Sequence, residues 1–394
     1  MRVFLHDYGG YAFSAQLGRE LARRGHEVCY AYGEATQALK RGTLDKTTAD
    51  PDHFEIVGIQ LKRPFKKYAF LNRWLQEREY GRHLVDAMRR FQPQIVISAN
   101  APLDTQAIIL RATRQARLPF VFWLQDLIGT ATKEILKTKL PGVGHLAGTY
   151  YTRLEERMLR QSEHIILITP DFEPLLADWG IAADCFSVIP NWAVLDEIPV
   201  MPKDNAWAQE HDLADKFCFL FTGVLGMKHN PGLLLELAQH FESRPDVHVV
   251  VVSEGIGADW LRERVQAQTV SNLMVHDFEP VERYAEVLAS GDVLMTILQP
   301  EAGIYSVPSK VLSYLCAQRS LLLAIPAANL AARIVRQHQA GVVVSPTEFV
   351  QAAQMLYNDE TLRNTQAAHG RAYAEQHFNI ETICDKFENI LSQL

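Results

Sequence analysis

The chain has no long apolar run. Nothing in its 394 residues approaches the about 18 consecutive apolar residues that cross a bilayer, so no membrane-spanning helix is expected. Cysteine is scarce and scattered. Cys29, Cys185, Cys218, Cys316 and Cys384 are odd in number and include no CxxC pair, which excludes a disulfide framework and a thiolate zinc site and fits reduced thiols. Basic charge is also lacking: 39 Lys and Arg stand against 46 Asp and Glu, and the net charge of -7 argues against a dedicated nucleic-acid binder. No apolar leader precedes the first strand-like run, RVFLH at residues 2–6. A cytoplasmic protein is the expectation, with the inner face of the cell membrane as the alternative location. The turn after that first run lacks GxGxxG, which disfavours a dinucleotide-dependent oxidoreductase. No short-period repeat or low-complexity segment is present.

What remains is an ordinary soluble composition, 48% hydrophobic and 22% charged, over a length that favours two domains. Short apolar runs alternate with helix-length segments from residue 2 to residue 189, the signature of a doubly wound parallel sheet. Residues 193–205, AVLDEIPVMPKDN, carry two prolines and no periodicity and read as an interdomain linker. The alternation then restarts at FCFLF (217–221) and continues through HVVVV, DVLMTIL and LLLAI, with a helical pattern from about residue 347 to the end. Two α/β domains are therefore expected, 1–192 and 205–377. Two such sheets facing one another would line a cleft with the carboxyl ends of their strands, where ligands of doubly wound folds bind.

The loops at those strand ends hold the candidate chemistry. Between DVLMTIL and LLLAI lies YSVPSKVLSYLCAQRSLLLA, residues 305–324, read as a short helix entered through Pro308, capped by Ser306 or Ser309, with Lys310 at its start. The loop after FCFLF, TGVLGMKHN, brings Gly223, Gly226 and Lys228 to the start of another helix, expected over 231–241. Its glycine spacing is neither GxGxxG nor a Walker loop, so the pair of lysine-bearing loops points to a diphosphate rather than a dinucleotide or an ATP γ-phosphate. Glu254 and Phe278 end the next two strands, at positions suited to a ribose, a sugar or a base edge, or to nothing more than a solvated loop. In the first domain, Gly10 either admits a substrate to the backbone or makes a turn. Asp126 is a general base or hydroxyl orienter at a strand tip, or a local turn and capping residue. Residues 61–90 mix Lys62, Arg63, Lys66, Lys67 and Arg73 with Phe65, Tyr68, Phe70 and Trp74, which suits either an anionic membrane surface or a helix with a solvated charged face.

Taken together, RGHEV at 24–28, LQD at 124–126, PNW at 190–192, FTGVLGMKHN and the segment SVPSK at 306–310 resemble family 4 glycosyltransferases of the GT-B fold, and within them the colanic-acid and O-antigen type. The likeness covers nearly the whole chain. It implies two Rossmann-like domains, the first binding a saccharide or lipid-linked acceptor and the second a nucleotide-sugar donor. It also implies a last segment, 378–394, that crosses back onto the first domain. It implies that Lys228 and Lys310 contact the donor diphosphate and stabilise it as it leaves without a metal. Gly223 would admit the diphosphate, Ser309 would lie beside it, Glu254 and Phe278 would sit near the nucleotide or sugar, and Asp126 and Gly10 would face the sugar or acceptor. A retaining transfer, in the building of a bacterial surface polysaccharide or glycolipid, follows from the same likeness. The sequence departs from the family in two respects: the usual glycine-x-proline after the second lysine-bearing helix is here Gln318-Arg319-Ser320, and a pair of carboxylates is missing. Many members carry two glutamates eight positions apart where this chain has Tyr305 and Ser313. That departure keeps a second reading open, a non-catalytic nucleotide-sugar-binding relative that supports a partner transferase.

Overall fold

The computed structural model describes residues 1–34, 44–63, 70–99, 101–139, 143–226, 229–267, 270–299 and 307–394. The chain forms two compact units, Met1–Asn191 with Ile380–Leu394, and Trp192–Asn379.

In unit 1 the order is β1 (Arg2–Asp7), α1 (Ala12–Arg23), β2 (Glu27–Gly33), β3 (Phe54–Ile59), α2 (Phe70–Phe91), β4 (Ile95–Ala99), α3 (Leu103–Ala116), β5 (Phe120–Leu124), α4 (Ile128–Lys139), α5 (Val143–Leu159), β6 (His164–Leu167), α6 (Glu173–Asp178) and β7 (Phe186–Val188). Among the described residues its strands form one parallel sheet of seven, ordered β3-β2-β1-β4-β5-β6-β7. The inner strands are apolar runs because helices cover both faces of such a sheet, and Val3, Phe4, Leu5, Val96, Ile97 and Val121 are fully buried.

Unit 2 comprises α7 (Ala206–Glu210), β8 (Phe217–Thr222), α8 (Gly232–His240), β9 (Val247–Val252), α9 (Ile256–Gln266), β10 (Leu273–His276), α10 (Tyr284–Ala289), β11 (Val293–Ile297), α11 (Lys310–Cys316), β12 (Ser320–Ala324), α12 (Leu330–Gln337), β13 (Gly341–Val343), α13 (Phe349–Asn358) and α14 (Glu360–His377). Its described strands form a parallel sheet ordered β10-β9-β8-β11-β12-β13. Each sheet thus reverses its winding once, at β1/β4 and at β8/β11. The doubly wound expectation holds in both units.

The last helix, α15 (Ile380–Leu391), belongs to unit 1. Its apolar stripe Ile383, Phe387 and Ile390 is buried, and the Phe387 ring meets Trp123 of β5 edge-on at 5.0 Å between centroids. Arg24 ties it down through Asp385 at 2.6 Å and Glu388 at 2.5 Å.

The proline-bearing segment 193–205, read from the sequence as an interdomain linker, is packed within unit 2. Lys203 pairs with Asp292, Asn205 caps α7 by accepting from the Ala208 N–H, and Arg371 donates to the Ile198 carbonyl. Arg319 explains the unusual Gln318-Arg319-Ser320 turn. Gln318 takes a left-handed φ of 53°, and the Arg319 guanidinium fills the corner by donating to the carbonyls of Ala289, Gly291 and Met201.

Candidate functional site

Unit 2 places its predicted loops side by side at the carboxyl edge of the sheet, flanking the reversal between β8 and β11. Ligands of doubly wound folds bind at such a reversal. Gly223 leaves β8 with φ +100°, a conformation that penalises any side chain. The space a Cβ would occupy is taken: Lys310 Nζ lies 2.9 Å from that point and Cε 3.1 Å. Lys310, the first residue of α11, lays its ammonium 3.7 Å from the centroid of the Phe221 ring, a cation–π contact that holds the charge at the strand end. Gly223 and Lys310, 87 positions apart in sequence, are thereby brought together. Lys228 lies outside the described residues.

The Gly223 loop is fixed from the side of β9. Buried Ser253 donates its hydroxyl to the Gly223 carbonyl at 2.8 Å and lies 3.2 Å from the Leu225 N–H, which also donates to the Glu254 carbonyl at 3.0 Å. The Glu254 side chain is exposed, so the structure sews its backbone to the glycine loop and leaves its carboxylate in solvent. Arg262 of α9 donates to the Ser253 carbonyl and pairs with Asp277, which links this loop to the one carrying half-buried Phe278. Ser309 is exposed, helical in backbone, and makes no side-chain cap to α11. Its expected capping role is corrected: a residue already in the αR conformation aims its hydroxyl away from the helix N–H groups. Ser306 and Tyr305 lie outside the described residues.

Sequence reasoning missed the two phenols beneath this site. The Thr222 N–H donates to Tyr314 Oη at 2.9 Å, and the Thr222 hydroxyl lies 3.4 Å from Tyr284 Oη. Burial pushes the Tyr284 hydroxyl up, while hydrogen bonds from Thr222 and Ser313 oppose it. Ser313 is therefore a partner of Tyr284 in this chain. A tyrosine inside an apolar helical run carries no sequence signal of such a role.

In unit 1, Asp7 ends β1 with a buried carboxylate that accepts from the N–H groups of Gly9 at 3.0 Å and Tyr11 at 2.8 Å. It fixes the turn into α1 by binding the N–H of its N-cap residue, Tyr11, which makes no side-chain cap. Gly10 has φ +64°, and an added Cβ would meet Leu44 Cδ1 at 3.1 Å and Tyr32 Cδ2 at 3.5 Å, so its open side is filled by protein. Behind the same strand ends, His6 pairs with Ser98 Oγ at 2.7 Å and Tyr80 Oη at 3.0 Å, and burial lowers its pKa to about 3.

Asp126 is half-buried, one residue past Gln125 and two before α4. Gln125 is held by a reciprocal amide pair with Asn191, at 3.2 and 2.5 Å, which joins the LQD and PNW segments in space. Within 61–90, residues 64–69 lie outside the described set. Of the rest, Arg73 pairs with Glu77 at 2.7 Å and Arg78 stacks on Trp74 at 4.7 Å, so part of the cationic stripe is satisfied within its own helix. No helix among the described residues is long and apolar enough to cross a membrane, and none of them form a cluster of three or more His, Cys, Asp or Glu suited to a metal ion.

Residues 9–192 match the family model described as "Glycosyl transferase 4-like domain". None of the curated proteins compared with the chain matches it. Among solved structures, sucrose-phosphate synthase from Thermosynechococcus elongatus is similar at 14% identity and a TM-score of 0.73, over 100% of this chain and 98% of that one. Anabaena HepE in complex with UDP and glucose is similar at 17% identity and a TM-score of 0.70, over 100% of both chains. WaaG, a glycosyltransferase involved in lipopolysaccharide biosynthesis, is similar at 15% identity and a TM-score of 0.67, over 99% of both. With these neighbours and its two parallel-sheet units, the chain has the GT-B fold.

Proposed function

We propose that this chain is a glycosyltransferase that moves a sugar from a nucleotide-diphosphate donor to a saccharide or lipid-linked acceptor. The observation that carries the reading is the meeting of the Lys310 ammonium and the Gly223 backbone at the β8/β11 reversal. Gly223 leaves the room in which the Lys310 ammonium lies against the main chain, and a cation fixed at that strand end favours a diphosphate. Lys310, with Lys228 on the adjoining loop, holds the donor and stabilises the negative charge that builds on the leaving diphosphate. The lysines take the place of a divalent cation, so turnover is expected to survive EDTA. Unit 2 is the donor-binding domain and unit 1, with Asp126 orienting or deprotonating a hydroxyl, the acceptor-binding one. The family model over 9–192 and the fold neighbours support this assignment. A hexosyl group, a retaining outcome, a role in bacterial surface polysaccharide or glycolipid synthesis and the colanic-acid or O-antigen type are proposed on the sequence resemblance. Docking through 61–90 at an anionic membrane surface is proposed on composition, and charge reversal at Lys66 and Lys67 should release the protein from anionic liposomes.

The test is calorimetric titration with UDP, GDP, ADP and dTDP. One nucleotide should bind, and Lys310→Ala should weaken it by about 1.5–3 kcal/mol, tenfold or more. No binding by any of the four would sink the reading. The pairing of Ser313 with Tyr284, where a carboxylate stands in many family members, favours a second reading, a donor-binding protein without turnover. Release of nucleoside diphosphate on adding acceptor separates the two.

A further inference from the structure

The segment that carries Asp126 is gripped from behind by a carboxylate that no part of the proposed chemistry uses. Glu155, on α5, is 0% exposed, and its Oε1 accepts the Gly129 N–H of α4 at 3.1 Å. The N–H groups of Ile128 and Thr130 also favour the charged carboxylate. The grip depends on two close approaches between the helices. A Cβ on Gly129 would meet Glu155 Oε2 and the Tyr151 carbonyl at 2.8 Å, and one on Gly148 would meet the Lys133 backbone at 2.6 Å. The Thr152 hydroxyl donates to the Gly129 carbonyl at 3.3 Å, so Gly129 is held through both its N–H and its carbonyl. On the other side, Gln125 is fixed by Asn191. Asp126 is thus the residue between two clamps.

We propose that Glu155 is a positioning residue for Asp126, setting through the first turn of α4 where the end of β5 delivers that carboxylate. The function of Asp126 itself rests on the glycosyltransferase reading; the grip of Glu155 on the segment does not.

Burial pushes the Glu155 carboxyl up to about 7, against the opposing pull of the Gly129, Thr130 and Ile128 N–H groups, and the like charge of Asp126 adds to the rise. Titratable groups on the elements packed against α5 include Lys133 and Glu134 of α4 and Asp104, Arg111 and Arg114 of α3, Asp104 accepting from Tyr151 at 3.1 Å. The sign follows from linkage. A carboxyl whose folded pKa lies above its unfolded value makes the closed arrangement hold its proton more tightly. The grip is therefore fully present below the ordinary value of 4.5 and weakens as pH rises to about 7.

Hydrogen–deuterium exchange of amides 128–130 in the full chain, corrected for intrinsic rates and followed across pH, tests this without any substrate. In the wild type, protection should fall about tenfold or more as pH rises toward 7. Glu155→Gln keeps the shape without the charge and should stay protected throughout. Glu155→Ala should lose protection at every pH. Given turnover, Glu155→Ala should lower kcat with the donor dissociation constant unchanged, and Glu155→Gln should restore it. Glu156→Gln, one position along and paired with Arg160 at the surface, serves as the control without effect. Wild-type protection that is flat with pH, or equal in Glu155→Ala, overturns the proposal. A protein that shows the exchange pattern but turns over no nucleotide sugar would retain Glu155 as the clamp and lose the glycosyltransferase reading instead.

Discussion

The two units share a topology and differ in the sign of the charge placed at its reversal. In unit 1 the strand ends are furnished with carboxylates: Asp7 occupies the N–H groups after β1 and Glu155 those that open α4. In unit 2 the corresponding reversal holds an ammonium, Lys310, against the Gly223 backbone, whose own N–H donates to the Val252 carbonyl at 3.1 Å. A phosphate approaching either edge meets the same dipoles, but the Asp7 carboxylate in unit 1 would repel it and the Lys310 ammonium in unit 2 would attract it. A doubly wound sheet thus favours an anion at the reversal whose own side chains carry the opposite charge. This contrast in charge is the physical reason for proposing the diphosphate site in unit 2.

The largest effect that breaks the comparison is on stability. Asp7→Ala leaves two backbone donors without their acceptor and should destabilise unit 1 by about 2–4 kcal/mol in chemical denaturation. Lys310→Ala is the opposite experiment. It should leave the denaturation midpoint of unit 2 within about 0.5 kcal/mol, since a buried ammonium is costly to keep, while nucleotide affinity falls tenfold or more. Loss of stability without loss of affinity would make Lys310 a packing residue and erase the contrast.

A smaller effect sharpens it. Gly223→Ala at φ +100° carries strain of about 1–2 kcal/mol and pushes the Lys310 ammonium off its seat. Nucleotide affinity should fall by less than in Lys310→Ala, and the double variant should be no worse than Lys310→Ala alone. Additive losses would show that the two residues do not share a ligand.

How much of this was legible depends on what each residue uses to act. The strands were readable because a parallel sheet buried on both faces writes itself as apolar runs, and the Gly223 and Lys310 loops were readable because they follow those runs directly. Their meeting was inferred from the pattern, whereas the reason for it, the cation on Phe221, needed coordinates. Glu155 was not legible at all. In sequence it is one of two adjacent glutamates on an amphipathic helix, and only the close approach of α4 at Gly129 and Gly148 separates the buried carboxylate from its exposed neighbour. Gly10 shows the reverse case. Its glycine is plain in the sequence, while the left-handed turn it makes, at φ +64° with Tyr32 and Leu44 beside it, needed coordinates. Tyr284 and Tyr314 carried no signal, because a phenol in an apolar run looks like core.

The smallest effect concerns the helix that completes unit 1. Burial raises the Glu388 carboxyl, but hydrogen bonds from Arg24 and His26 outweigh it, and the net pKa lies below the ordinary 4.5. A carboxyl lowered on folding contributes stability that is present above its unfolded value and is lost as pH falls through the folded one. The pair is only partly buried, with side chains 21% and 30% exposed, so the contribution is about 0.2–1 kcal/mol. Glu388→Gln should lower unit 1 stability by that amount at pH 7 and by progressively less as pH falls below 4.5, read as the difference between denaturation midpoints, and should leave nucleotide affinity unchanged throughout. The last condition carries the comparison. If unit 2 alone holds the nucleotide, loosening α15 on unit 1 has no route to its binding constant, and a change in affinity at pH 7 would mean that the donor also contacts unit 1.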